Sequence, residues 1–177
     1  MPEESLATET RAEAARVVVV CGLPGAGKTT VAERVTDLLD ATRLRTDVIR
    51  KELFPDPEYT DEESAAVYDE LFARTRALVA DGDPVVLDAT FSDRSNRERA
   101  RNLSAAQDVP FDLVAVECDQ SVVEERIRRR TDDESDADVE VHRLFRDLFD
   151  PVEGDHVVVD NSSDLAATRR QVDQQFY

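Results

Sequence analysis

Lysine is almost missing from this chain. Of 22 basic residues only Lys28 and Lys51 are lysines, set against 40 acidic residues and a formal net charge of -18. A body this acidic repels nucleic acid in dilute buffer. In roughly 1 M salt the Debye length falls to about 3 Å and long-range repulsion largely vanishes, so the charge disfavours a polynucleotide partner without removing it. No apolar run approaches the length of a membrane span. The first sixteen residues are polar and acidic with no apolar core, which excludes a signal peptide there. A soluble, cytoplasmic protein is expected.

Other absences narrow the chemistry. The two cysteines, Cys21 and Cys118, each end an apolar run and read as small buried hydrophobes in a reducing compartment. Nothing has metal-ligand spacing. His142 and His156 have no partner constellation and are read as structural, and no serine sits in a nucleophile-elbow pattern. There are no repeats and no internal boundary. A tail over 1–16 followed by one domain over 17–177 is the expected organisation. The acids are scattered along the whole length, so the surface is self-repelling. With so little lysine it resembles halophilic proteins that work in molar salt.

What is present starts with Gly22-Leu23-Pro24-Gly25-Ala26-Gly27-Lys28-Thr29, which fits G-x-x-x-x-G-K-[ST] at every fixed position. It follows the apolar run Val17–Cys21 and precedes a helical pattern through Val31, Val35, Leu38 and Leu39. A buried strand, a glycine turn and a helix start aim several backbone N–H groups at one spot, where a polyphosphate can sit. Lys28 would reach the β/γ-phosphates and the Thr29 hydroxyl would hold Mg²⁺, with Thr30 beside them. One of only two lysines stands where a compact ammonium on a flexible stem is needed.

Strand and helix patterns then alternate, which predicts an α/β fold with a parallel sheet. Strands are expected at Val17–Cys21, near Arg43–Thr46, and at Val85–Leu87, Phe111–Cys118 and Val157–Val159. Helices are expected from Asp47 to about Phe54, over Asp61–Ala80, Arg94–Gln107 and Val122–Arg130, through Val141, Leu144, Phe145, Leu148 and Phe149, and over Leu165–Phe176.

Ligands of open α/β sheets bind at the carboxyl ends of the strands, so the residues after each strand matter most. Asp47 is the candidate base for an attacking hydroxyl, with a helix N-cap as its structural alternative. Arg50 shares a helix face with it and is the candidate clamp for an anionic acceptor, or else pairs with Glu52 or Glu70. Asp88 holds the position of a Walker-B carboxylate, a candidate for the metal and the acceptor, or it caps the next segment. Thr90, Asn96 and Arg97 are candidates for the acceptor side, or else, as the favoured alternative, ordinary polar residues at the surface. Asp160-Asn161-Ser162 follows the fifth strand. Arg126, Arg128, Arg129 and Arg130, ahead of the acidic stretch Thr131–Asp138, read as a lid that neutralises charge on a transferred phosphoryl group. Arg128 or Arg129 could instead pair with that acidic stretch.

Together G-L-P-G-A-G-K-T, R-T-D-V-I-R-K-E-L, V-V-L-D-A-T-F, E-R-I-R-R-R and S-D-A closely resemble the P-loop kinases labelled predicted kinases or AAA-type ATP-binding proteins. These are relatives of phage polynucleotide kinase, gluconate kinase, chloramphenicol phosphotransferase and zeta toxins. The resemblance covers about residues 17 to 162. It implies a three-layer fold with five parallel strands in the order 2-3-1-4-5, a small arginine-bearing lid, and Mg-ATP as donor. By position it implies that Lys28 and Thr29 contact phosphate and magnesium, Asp47 activates the acceptor, Arg50 binds it, and Asp88 is the acid after strand three. Arg126 would lie over the adenine and Arg130 would contact phosphate.

The expected activity is transfer of the γ-phosphoryl group of ATP to a small-molecule hydroxyl. A 5′-hydroxyl polynucleotide kinase is the alternative, disfavoured by charge, and a non-catalytic ATP-binding module comes after it. A GTP-binding switch is excluded because its N-K-x-D motif needs a lysine after asparagine, whereas Lys51 follows Arg50.

Overall fold

A computed structural model of the chain describes residues 15–130 and 135–176. Its centre is β1 (Val17–Cys21), buried at all five positions. Such a run of branched apolar residues suits a parallel strand covered on both faces. Side chains alternate between faces with a period of two, and the core divides accordingly. Val17, Val19 and Cys21 join one cluster, while Val18 and Val20 join another.

The remaining strands are β2 (Thr42–Arg45), β3 (Val85–Asp88), β4 (Phe111–Glu117) and β5 (Val157–Asp160). All pair in parallel, in the order β2-β3-β1-β4-β5. The expected topology is the observed one. Its register sets Val20 beside Asp88, Arg45 beside Asp88, and Glu117 beside Asp160.

One face is covered by α1 (Lys28–Leu39) and the closing helix α7 (Leu165–Phe176), through Val31, Val35 and Val172. The other is covered by α3 (Asp61–Ala80) and α4 (Arg94–Ala106), through Val67, Leu71, Ala100 and Leu103. The start of α3 is specified locally. The Thr60 hydroxyl accepts from the Glu63 N–H at 3.2 Å, and three acids occupy the first turn beside the positive end of the helix dipole. The Glu63 carboxylate turns back to accept from the N–H groups of Glu58 and Tyr59, both at 2.9 Å.

Three further helices lie along the carboxyl edge: α2 (Thr46–Leu53), α5 (Gln120–Arg130) and α6 (Ser135–Leu148). The last starts earlier than its apolar positions suggest, inside the stretch expected to be irregular. Among the described residues no helix is long and apolar enough to cross a membrane.

Candidate functional site

Residues 22–29 join the end of β1 to the start of α1 at the middle of the sheet. Gly27 caps α1 from the left-handed region at φ 91°, where a side chain is strained. The loop braces itself from within: the Ala26 N–H donates to the Leu23 carbonyl at 3.1 Å, and Lys28 Nζ donates to the same oxygen at 3.2 Å.

Three outside contacts complete the bracing. The Gly22 N–H donates to the Thr90 carbonyl at 3.2 Å. His142 Nδ1 lies 2.9 Å from the Pro24 carbonyl, and since a carbonyl only accepts, that nitrogen carries the proton. Asn161 Nδ2 donates to the Ala26 carbonyl at 2.8 Å.

The Thr90 contact is itself held firmly. Phe91, the next residue, is fully buried with φ 48°, a costly conformation for a large aromatic. Its N–H donates to the Tyr68 hydroxyl at 3.1 Å, its carbonyl accepts from Arg97 Nη1 at 3.1 Å, and its ring meets that of Tyr68 edge-on at 5.3 Å. Arg97 also donates to the carbonyls of Asp150 and Pro151. Expected as an acceptor residue, it is a buried clamp joining this turn to the chain after α6.

Lys28 and Asp88 form the charged centre. Burial lowers the Lys28 ammonium, opposed by the nearby carboxylates of Asp88 and Asp47. Burial raises the Asp88 carboxyl, opposed by Lys28, Arg43 and Arg45, with Asp47 adding to the rise. Asp88 is only 7% exposed, and its Oδ2 has no hydrogen-bond partner. Its nearest ion-pair contact is Arg43 Nε at 3.9 Å. A buried carboxylate with an orphaned oxygen is costly unless a cation or donor reaches it, so this side chain suits an octahedral Mg²⁺ and its waters. The Thr29 hydroxyl is exposed in the first turn of α1, available as a second oxygen ligand.

Asp47 lies in the first turn of α2, and its cap position falls instead on Arg45, so the capping alternative does not apply. The Asp47 carboxylate accepts from Arg45 Nη2 at 2.6 Å and Nε at 3.1 Å, and from the Val48 N–H at 3.0 Å. It remains 60% exposed, reachable by a ligand from solvent. Arg43 and Arg45 were not singled out in the sequence. Their spacing of two on an edge strand puts them on one face, and that signal was available.

Arg50 is engaged: its guanidinium donates to Glu63 at 3.2 Å and to the Ser64 hydroxyl at 2.9 Å, and lies over the Tyr59 ring at 5.1 Å. Glu52 and Glu70, its expected partners, pair with Arg74.

On the lid side, Arg126 donates to the carbonyls of Asn161 and Ser163 and to Cys118 Sγ. Arg129 pairs with Glu125 of its own helix at 2.6 Å, and the side chains of the acidic stretch lie outside the described residues. Arg130 ends α5, and its side chain lies outside the described residues, as do residues 131–134 of that stretch and residues 1–14 of the tail. A cleft of about 390 Å³ opens between the loop and α6, lined by Leu23, Ala26, Glu117, Cys118, His142 and Phe149 among others. Asp47, Arg50, Asp88 and Thr90 do not line it. Burial pushes the Cys21 thiol up to about 11, which leaves it un-ionised and a poor nucleophile.

A parallel 2-3-1-4-5 sheet whose central strand feeds a glycine loop with a half-buried lysine defines a P-loop nucleotide-binding protein. A family model described as an AAA domain matches residues 17–152. The chain belongs to that family, and the resemblance read from its motifs is borne out.

An uncharacterized protein of Mycobacterium tuberculosis is 32% identical over 140 residues, which are 71% of this chain and 28% of that protein. The chain thus spans 28% of the length of the curated relatives it matches. Among solved structures it shares its fold with a gluconokinase of Sinorhizobium meliloti, at TM-score 0.66 and 21% identity over 93% of this chain and 94% of that one. It is similar also to an APS kinase of Mycobacterium tuberculosis in complex with AMPPNP and APS, at TM-score 0.70 and 20% identity over 90% and 96%.

Proposed function

We propose that the chain is a phosphotransferase that moves the γ-phosphoryl group of ATP to a hydroxyl of a small-molecule acceptor. One observation carries this reading: a half-buried Lys28 in the phosphate loop, and beside that loop at the end of β3 a buried Asp88 whose Oδ2 has no hydrogen-bond partner. Two structural neighbours named as kinases support it, one of them solved with AMPPNP.

In this reading the N–H groups of residues 22–30 cradle the β- and γ-phosphates, and Lys28 exchanges the Leu23 carbonyl for phosphate oxygens. Thr29 and Asp88 would hold Mg²⁺, which when bound supplies charge neutralisation between the β- and γ-oxygens. Asp47, released from Arg45, accepts the proton of the incoming hydroxyl. Arg50 and Thr90 face the acceptor, Arg126 the adenine, and Arg130 the transferred group.

The test is a transfer screen with labelled ATP against sugars, nucleosides, small alcohols and 5′-hydroxyl oligonucleotides, at low and high salt. Transfer to one small alcohol is the expected result. Transfer to the oligonucleotide alone would move the acceptor class. ATP binding with no transfer to any acceptor would make the chain a binding module and overturn the reading.

A further inference from the structure

Asn161, the first residue after β5, reaches the phosphate loop across 135 residues of sequence. Each of its polar groups has a partner. The Nδ2 amide donates to the Ala26 carbonyl at 2.8 Å, and Oδ1 accepts from the Thr168 hydroxyl of α7 at 2.6 Å. Its own N–H donates to the Glu117 carbonyl at 2.7 Å, and its carbonyl accepts from Arg126 Nη2 at 2.8 Å. Since the Ala26 carbonyl can only accept, that bond fixes which end of the amide faces the loop and leaves Oδ1 toward the Thr168 hydroxyl. The side chain also fills the space beside Gly27: a β-carbon at 27 would lie 2.0 Å from Nδ2. Gly27 is therefore required twice, for its positive φ and for room.

We infer that Asn161, oriented by Thr168, is the positioning residue that holds residues 26–27 of the phosphate loop in their anion-binding shape. Through its carbonyl, the same residue joins that loop to Arg126 of the lid helix. The physical basis is preorganisation. A loop whose N–H groups converge before the ligand arrives gives up less conformational freedom on binding. The inference rests on the nucleotide reading above, since the quantity it governs is affinity for a polyphosphate.

The experiment is a calorimetric titration of the full chain with Mg-ATP, alongside thermal melts. Asn161→Ala is expected to weaken binding about tenfold or more, the size of one well-placed hydrogen bond expressed as affinity. Gln171→Ala is the control. Gln171 of α7 makes two 2.8 Å bonds to the Asp160 backbone at the same strand end, and none to the loop. It should lower the melting temperature and leave affinity unchanged.

Thr168→Val should weaken binding in the same direction, and Thr168→Ser, which keeps the hydroxyl, should recover most of it. That pair decides the matter if Asn161→Ala does not fold. Affinity of Asn161→Ala within twofold of wild type overturns the inference, as does an equal loss in Gln171→Ala, which would mean general loosening. A wild-type chain that binds no nucleotide overturns the functional reading and this inference together. Intact wild-type binding with an indifferent Asn161→Ala overturns this inference alone.

Discussion

The two flanks of the phosphate loop are built differently. On the β1–β3 side every strand residue is buried, and the turn after β3 is pinned by Tyr68 and Arg97. On the α5–α6 side the helices are joined by the ion pair of Arg143 and Glu124 at 2.8 Å. There α6 exposes Val141, Leu144, Phe145 and Leu148, the last at 66%. Only Val139 and His142 of its described side chains are buried. One flank is fixed by burial. The other is held by that ion pair, worth little and screened by salt, by the bonds of His142 to Pro24 and of Arg126 to the Asn161 carbonyl, and by the two buried valines Val123 and Val139. Lys28 and Asp88 belong to the fixed flank and Arg126 to the other, while Asp47, 60% exposed, follows the edge strand β2. That division suits a site whose reacting groups stay in place while a cover opens.

The sharpest test of that division is chemical. Asp47→Asn should leave ATP binding nearly intact and lower transfer at least about 100-fold, the lower end for lost acid–base catalysis. Lys28→Ala should weaken binding and transfer together. Arg129→Ala removes an exposed pair within one helix and should change neither, as initial rates and titration would report. Undiminished transfer by Asp47→Asn would overturn the assignment of Asp47 as the base.

Stability gives the second test. Leu87 of β3 is fully buried between strands, and Leu87→Ala should cost about 2–5 kcal/mol in urea unfolding, from lost transfer energy and the cavity left behind. Leu148→Ala on α6 should stay within roughly 0.5 kcal/mol, as surface changes do. Equal losses at the two positions would show that the α6 face is covered, and the contrast between the flanks would collapse.

How far the sequence revealed this arrangement follows the same division. The loop and the bounds of α3 and α7 were legible because they rest on local signals, glycine spacing, apolar runs and stop residues, whereas the strand order came only with the family resemblance. Contacts that depend on register were not. Arg43 meets Asp88 only because β2 lies beside β3. Asn161 meets Ala26 only because the parallel strand β5 ends near the loop, and Arg97 reads as an ordinary exposed arginine until its three carbonyl partners are assembled around it. Periodicity shows which apolar residues share a helix face, but not whether anything covers that face. The stripe on α6, legible as a pattern, therefore lies exposed. The Arg130 assignment falls outside the described side chains, and Arg50, legible as a face partner of Asp47, is tied to Glu63 across a turn that spacing alone does not specify.

The smallest expected effect concerns Asp88 and its orphaned oxygen. Burial pushes its carboxyl up from 3.8, with Lys28 and Arg43 pulling the other way. The folded chain therefore holds that proton more tightly than the unfolded chain does. Its contribution to stability is full below 3.8 and is lost as pH rises through the raised value. Asp88→Asn keeps a neutral side chain of the same shape at every pH. The variant and wild type should melt together in buffers below 3.8, and the variant should pull ahead toward neutral pH. Added Mg-ATP should reverse the order near neutrality, because only the wild-type carboxylate gains a cation and a ligand that binds the native state stabilises it. If the two proteins melt alike across the whole range, the buried carboxylate is already satisfied, and the fixed flank has no vacancy that a metal would fill.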